Sequence, residues 1–324
     1  MGVNETKGVC MGTVVLKRVL VAIPLIILIS IGAFSLQLAL PGDPATALAG
    51  QDATDEQIAA ARQELRLDDP APLRYLHWVG DIVTGDFGDS LKTRLPVADE
   101  LARRLPVTFT LAALALGLGL IVGVPMGLLQ GVTAGGRIDK VLALLVSAMV
   151  AVPSFWIATL LVSMFAVNLG WLPSGGYVSF GQSPTDWAKH LALPVVTMSL
   201  FITGEVARQL RTGLMSVMEQ DYIRSGRARG LSEARVIGKH ALRNASMPAL
   251  TIIGIRVGHL LAGSVLIEQI FRVPGIGSYT LAAIQNRDFP VIQGVVLTSG
   301  LIVVLVSLVV DIAYAALNPK VRVS

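Results

Sequence analysis

The sequence predicts an all-α, polytopic membrane protein with six transmembrane helices. Two bulk observations and one pattern carry that prediction. Hydrophobic residues make up 53% of the 324 residues and charged residues only 15%, too apolar for a water-soluble domain of this size. Mean hydropathy is +0.67, which points the same way. The apolar residues also gather into runs near the ~20 residues that a helix needs to cross a bilayer. The net charge of +4 is small, and where the charges lie matters more than their sum. A single cysteine, Cys10, excludes an internal disulfide and a cysteine-based metal site. The arginines lack interleaved stacking aromatics and fall between spans, which argues against nucleic acid as a partner.

In chain order, residues 1–18 form an amino-terminal segment closed by Lys17 and Arg18. The apolar run 19–40 exceeds the ~7–15 residues of a secretory core, so it is expected to be retained as the first transmembrane helix. Ala45-Thr46-Ala47 only mimics a cleavage site. Residues 41–106 are the largest polar region. Thr54 is expected to cap a helix reaching Leu67, with Glu56 and Gln57 in its first turn. Pro72 to Val83 suggests a second helix, with Leu73, Leu76, Val79 and Val83 on or near one face and Trp78 beside them. Such an amphipathic pair suits a receptor contact, the membrane surface, or a cap packed on the transmembrane bundle.

Residues 107–317 read as a core of five further spans. Val107 to about Gln130 carries Gly119, Gly123, Gly127 and Gly131 at every fourth position, a face nearly free of side chains on which another helix can pack closely. Pro125 is a candidate kink in it. Val141 to about Leu169 is the third span, interrupted by Pro153-Ser154, and Leu191 to about Leu214 is the fourth. Between them lies a Gly- and Pro-punctuated loop with Trp171, Tyr177 and Trp187 suited to an interface. Ala249 to about Ile270 is the fifth, with Gly254 and Gly258 on a second small-residue face. Phe271 to Gly277 turns the chain, Val291 to about Leu317 is the sixth span, and 318–324 is a tail. Six spans put both termini on one side. Lys17, Arg18, Arg137, Lys140, Lys320 and Arg322 place that side in the cytoplasm, while 41–106 holds more acids than bases.

The stretch 215–248 is the most informative. Asp221 is expected to N-cap a helix over Tyr222 to Arg229, and Gly230 stands where a left-handed residue would end it. Ser232 offers a second N-cap, with Glu233 at the positive end of the next helix. The order Asp221-Tyr222-Ile223-Arg224-Ser225-Gly226-Arg227-Ala228-Arg229-Gly230-Leu231-Ser232, then His240 to Asn244 and Pro248, resembles the coupling loop of ATP-binding-cassette (ABC) importer permeases. It looks most like the di- and oligopeptide branch. The general form of that loop is Glu-Ala-Ala followed after three residues by Gly. Here Arg224-Ser225-Gly226 takes the first three places and Gly230 the last, a departure common among peptide permeases. Leu40 to Pro44, Gly85 to Leu91, Phe271 to Gly277 and Asn318 to Arg322 resemble the same family, so the likeness runs from about Val19 to Arg322.

The resemblance implies a type I ABC importer permease fold in the cell membrane and a pathway for di- or oligopeptides. It implies a homologous second permease, two ATP-binding subunits or domains that hold ATP and Mg2+, and an extracytoplasmic substrate-binding protein. It assigns ATPase coupling to Asp221, Tyr222, Arg224, Ser225, Gly226, Arg229, Gly230 and Leu231. Nickel, glutathione or another small solute is the alternative cargo.

Enzyme chemistry is missing. There is no Gly-x-x-x-x-Gly-Lys-Ser/Thr phosphate loop and no His-Glu-x-x-His, so no catalytic residue, metal or cofactor is expected on this chain. Ionisable residues at membrane depth are Glu205, Arg208, Arg256, Glu268 and Asp311. Glu205, Arg256 and Asp311 are candidate buried charges, with Arg256 expected to pair with one of the two carboxylates. None is a convincing midplane carboxylate, which counts against an ion-coupled secondary transporter, the alternative from a different class.

Overall fold

The computed structural model describes residues 11–39, 43–50, 52–242, 244–246 and 264–317, with side chains placed from residue 20 to residue 310 within them. The helices are α1 (Met11–Ala39), α2 (Pro44–Ala49), α3 (Asp55–Glu64), α4 (Ala71–Val83), α5 (Val97–Val132), α6 (Arg137–Ala151), α7 (Ser154–Leu161), α8 (Pro184–Met218), α9 (Asp221–Ala228), α10 (Glu233–Arg235), α11 (Ile276–Asn286) and α12 (Phe289–Leu317). Wider π-type turns, Val162–Asn168 and Val236–Ala241, extend α7 and α10, and residues 264–270 are helical. No strand forms among the described residues. The chain divides into two units, Met1–Val107 with Gly275–Ser324, and Thr108–Pro274.

In the first unit α1 and α12 lie side by side. Gln293 Nε2 donates to Gln37 Oε1 at 3.1 Å, and seven residues further along α12 a Cβ at Gly300 would stand 2.6 Å from Ile29 Cγ2. Thr54 and Gln57 close a reciprocal capping box on α3, as the sequence predicts. Arg62 on that helix reaches Asp43, the N-cap of α2, at 2.6 Å. Ala45, Leu48, Ala61, Leu91 and Phe289 share one core; Val97, Leu101, Ile276, Ala283, Val291, Ile292 and Val295 share another. Asp288 joins the two cores. Its buried carboxylate accepts from Ser90 Oγ at 2.5 Å and from the Leu91 amide at 3.1 Å.

α4 forms over the predicted residues, with Leu73, Leu76 and Val83 pointing outwards, and the side packed on α1 carries Tyr75 and Trp78. One expectation for this unit changes. The segment after Pro274, expected only as a turn, continues into α11, an 11-residue helix with Gly275 at its N-cap.

The second unit is built on α8 and on α5 from Thr108 onward, helices of 35 and 36 residues in full. At ~1.5 Å per residue each is roughly 50 Å long, well beyond the ~30 Å hydrocarbon layer, so both overhang it. The third span, expected to be interrupted at Pro153-Ser154, is built as α6 and α7, which with its extension to Asn168 meets α6 at 100°. Pro153 lies in the break, and it supplies no amide for a continuing helix. Four helices among the described residues are long and apolar enough to cross a membrane, or five with the bent pair as one span. The expected fifth span, Ala249 to Ile270, lies largely outside the described residues. So do Gly254, Gly258, Arg256, Cys10 and the side chain of Asp311.

Candidate functional site

Four of the five glycines of α5 meet α8 closely. A Cβ at Gly119 would stand 2.7 Å from Ile202 Cβ, one at Gly123 2.9 Å from the Thr203 carbonyl oxygen, one at Gly127 2.7 Å from the Ala207 carbonyl oxygen, and one at Gly131 2.6 Å from Leu214 Cδ2. The glycines are one turn apart on α5, and Ile202, Val206, Leu210 and Leu214 face them in turn on α8, so α8 is seated along the side-chain-free stripe of α5.

The far end of α8 carries α9. A short turn at Glu219 and Gln220 ends one helix and starts the other, and α9 lays Ile223 into a core with Leu210, Leu214, Val236, Ala241 and Ala245. Ile223 is 1% exposed, whereas Asp221, Tyr222, Arg224, Ser225, Ala228 and Arg229 all face outwards. Asn244 Nδ2 donates to Tyr222 Oη at 2.9 Å, pinning α9 to chain 22 residues later. Gly213 lets that chain approach α8: a Cβ there would stand 2.5 Å from the Ala245 carbonyl oxygen. The result is a short basic helix with an anchored back and an outward front.

Its two ends are made differently from one another. Gln220, not Asp221, is the N-cap, and no side chain bonds the first amides. Asp221 already has helical geometry, so its carboxylate cannot turn back to cap; it contributes only negative charge at the positive end of the helix dipole. At the other end Gly230 has φ 77°. Its amide donates to the Arg227 carbonyl at 2.9 Å, and the Leu231 amide donates to the Gly226 carbonyl at 3.3 Å. That crossed pair is a Schellman closure, completed by Leu231 lying over Gly226. Gly226 is half-buried and faces α10: a Cβ there would lie 3.6 Å from Leu231 Cδ1 and 4.0 Å from Val236 Cγ2.

Ser232 is the N-cap of α10 through its backbone alone, its carbonyl accepting from Arg235 at 2.9 Å and Val236 at 3.0 Å. The expected hydroxyl bond is absent, and Arg227 instead holds the start of α10 by a two-pronged bond to Glu233 at 2.7 and 3.2 Å. That hydrogen bond raises the Arg227 pKa and lowers that of Glu233. Both groups are in water, so the pair orients α10 against α9 more than it stabilises either.

Two buried polar arrangements escape a reading of sequence alone. Asp139, in the first turn of α6, is 3% exposed and accepts both prongs of Arg211 of α8, at 2.7 and 2.8 Å, plus the Gly135 amide at 2.9 Å. Glu268 is fully buried and accepts from Thr108 Oγ1 and Ser264 Oγ, both at 2.9 Å. The sequence treats Glu268 only as a charge near a span end and offers no sign of the Asp139–Arg211 pair beyond an acid among basic neighbours. Glu205, 3% exposed, bonds Arg208 one turn along its own helix. The expected pairing of Arg256 with Glu205 or Asp311 falls outside the described residues, as do the side chains of Arg256 and Asp311.

Residues 123–323 match the family described as binding-protein-dependent transport system inner membrane component, and residues 11–112 match its amino-terminal membrane component. The chain belongs to that permease family. The permease is 41% identical to a probable peptide ABC transporter permease of Sinorhizobium fredii, over 96% of this chain and 100% of that one. It is 42% identical to a putative peptide transport system permease of Brucella abortus, over 96% and 99%. A glutathione transport system permease of Escherichia coli is 37% identical over 95% and 98%. Among solved structures, the inward-facing MetNI methionine ABC transporter superposes with a TM-score of 0.57 at 17% identity, covering 67% of this chain and 96% of that one. The permease thus has the all-α, type I ABC importer fold and is a multi-pass membrane subunit of a transporter.

Proposed function

We propose that this permease lines a translocation pathway for di- or oligopeptides together with a homologous second permease, and that α9 docks on a cytoplasmic ATPase. The observation that carries the reading is α9 itself: an outward face of Tyr222, Arg224, Ser225 and Arg229 on a helix whose back is clamped by Ile223 and closed by Gly230. A helix held in this way moves with α8 as one piece, which is what transmitting ATP-driven motion requires. Two ATP-binding subunits or domains, holding ATP and Mg2+, and an extracytoplasmic binding protein complete the machine; this chain has no phosphate loop of its own. The peptide-permease relatives favour peptide cargo, and the glutathione permease makes that tripeptide the second reading.

Gly230→Val tests the coupling role. No described atom lies within 4 Å of a Cβ there, so nothing clashes; the cost is a left-handed φ, about 1–2 kcal/mol for a side chain. Relieving it re-aims α10 and breaks the Schellman closure. The expected result is normal membrane abundance with severely reduced peptide uptake and reduced ATPase stimulation by the loaded binding protein. Near-normal uptake at matched abundance would reject the assignment. Orientation is tested separately with Ser232→Cys and Ser183→Cys in a Cys10→Ser background. In intact cells an impermeant thiol reagent should label position 183 and spare 232; the reverse pattern overturns a cytoplasmic α9.

A further inference from the structure

The apolar side chains of α4 are turned outwards, the reverse of what a helix in water would do. Leu73, Leu76, Gly80 and Val83 follow one another at positions i, i+3, i+7 and i+10 and so share a face. That face is outward: Leu76 is 63% and Val83 81% exposed. The charged side chains Arg74, His77 and Asp81 lie off that face and border an open cavity of about 270 Å3, shared with Glu64, Gln37 and Gln293, with Arg74 and His77 half-buried and Asp81 exposed at its edge. A soluble helix would bury the leucines.

The depth of α4 explains the inversion. Tyr75 Oη and Ser30 Oγ are hydrogen-bonded at 2.7 Å, and Phe34 packs edge-on against Tyr75 and tilted against Trp78, with centroids 5.6 and 5.8 Å apart. Ser30 belongs to the membrane-crossing part of α1, Leu20–Leu38, and lies eight residues before its end, roughly 12 Å inward at ~1.5 Å per residue. α12 provides an independent ruler. Ile29 is level with Gly300, eleven residues and roughly 16 Å in from Phe289, about half the ~30 Å hydrocarbon layer. At that level the outward side chains of α1, Ile27, Leu28 and Ile31, are themselves apolar and exposed. Tyr75 there has its hydroxyl paired, as a polar group away from water requires.

We propose that α4 lies in the bilayer leaflet at the carboxyl-terminal end of α1, with Leu73, Leu76, Gly80 and Val83 against lipid acyl chains and its charges off that face, bordering the cavity. The outward face continues the lipid-facing wall of α1, and lipid is the occupant whose chemistry matches a face without a single polar side chain.

Two measurements on the assembled transporter in phosphatidylethanolamine–phosphatidylglycerol vesicles test this. In a Cys10→Ser background, nitroxide labels at Leu76→Cys and Val83→Cys should relax several-fold more with molecular oxygen than with a water-soluble nickel chelate. Glu56→Cys, on the exposed face of α3, should show the opposite ratio. Nickel relaxation at 76 and 83 equal to that at 56 would place the face in water. Low relaxation by both reagents would place it under protein, such as a docked binding protein. Either result overturns the proposal. Because both side chains are outward, cysteine removes no packing. The unmodified chain gives a second reading: a phospholipid with a photoreactive acyl chain should label the 71–83 peptide, and absence of label there overturns it as well.

Discussion

Gly127→Val is expected to remove most of the permease from the membrane. Any Cβ at 127 meets the Ala207 carbonyl oxygen at 2.7 Å, Ala207 Cα at 2.9 Å and Leu210 Cβ at 2.9 Å. Two of the three are backbone atoms, which cannot swing aside as a side-chain tip can. The helices must separate, and overpacking of this kind costs about 1–3 kcal/mol even where side chains can yield. Separation at 127 also opens the neighbouring contacts at 123 and 131, because all lie on one line. Between helices in lipid there is little hydrophobic drive to restore them. Gly117→Val is the comparator: it carries the same loss of helix propensity on the same helix, with no described atom within 4 Å of its Cβ. Immunoblots of membrane fractions and the melting temperature of the purified complex measure the effect. Equal abundance and melting for the two variants would show that the seam between α5 and α8 is not held at backbone distance.

Breaking the Asp139–Arg211 pair from one side should be nearly as damaging. Arg211→Met leaves a carboxylate that is 3% exposed with the Gly135 amide as its remaining described donor. Removing one partner of a buried pair costs about 3–5 kcal/mol, towards the lower end here because Arg211 is itself partly exposed. Asp139→Leu with Arg211→Met removes both charges and should recover much of the loss. A double-mutant cycle on thermal unfolding of the complex reads the coupling directly. Single costs that add to within about 0.5 kcal/mol in the double variant would mean the two charges act independently. The pair ties α6 to α8 ten residues before α9 begins, so ATPase stimulation should fall in the single variants that still assemble.

What the sequence shows, and what it hides, divides by physical range. Thr54 with Gln57 is a local device, complete within four residues, and the capping box forms where the spacing places it. Gly230 is local too, since only the handedness of one residue is at issue. The glycine stripe of α5 is visible as a repeat, although nothing in the repeat says that α8 fills it. Asp139 and Arg211 are 72 residues apart, and no local rule connects a first-turn acid to an arginine in another helix. The side of α4 that turns inward depends on whether the surrounding medium is water or lipid, which periodicity does not record. Asp221 shows the limit of even a local rule. It is the residue type that caps, but the helix starts one residue earlier, at Gln220, because the turn leaving α8 ends there.

The regular spacing of Gly119, Gly123, Gly127 and Gly131 against α8 has a mechanical corollary. Side chains of α8 occupy successive notches one turn apart, so axial slip by a fraction of a turn would drive Ile202, Leu210 or Leu214 into the α5 backbone. Relative displacement along the axis is therefore locked, and the pair has to travel as one strut. Any change in the width of the pathway must be taken up at seams other than this one. The four glycines thereby fix one joint of the permease, that between α5 and α8.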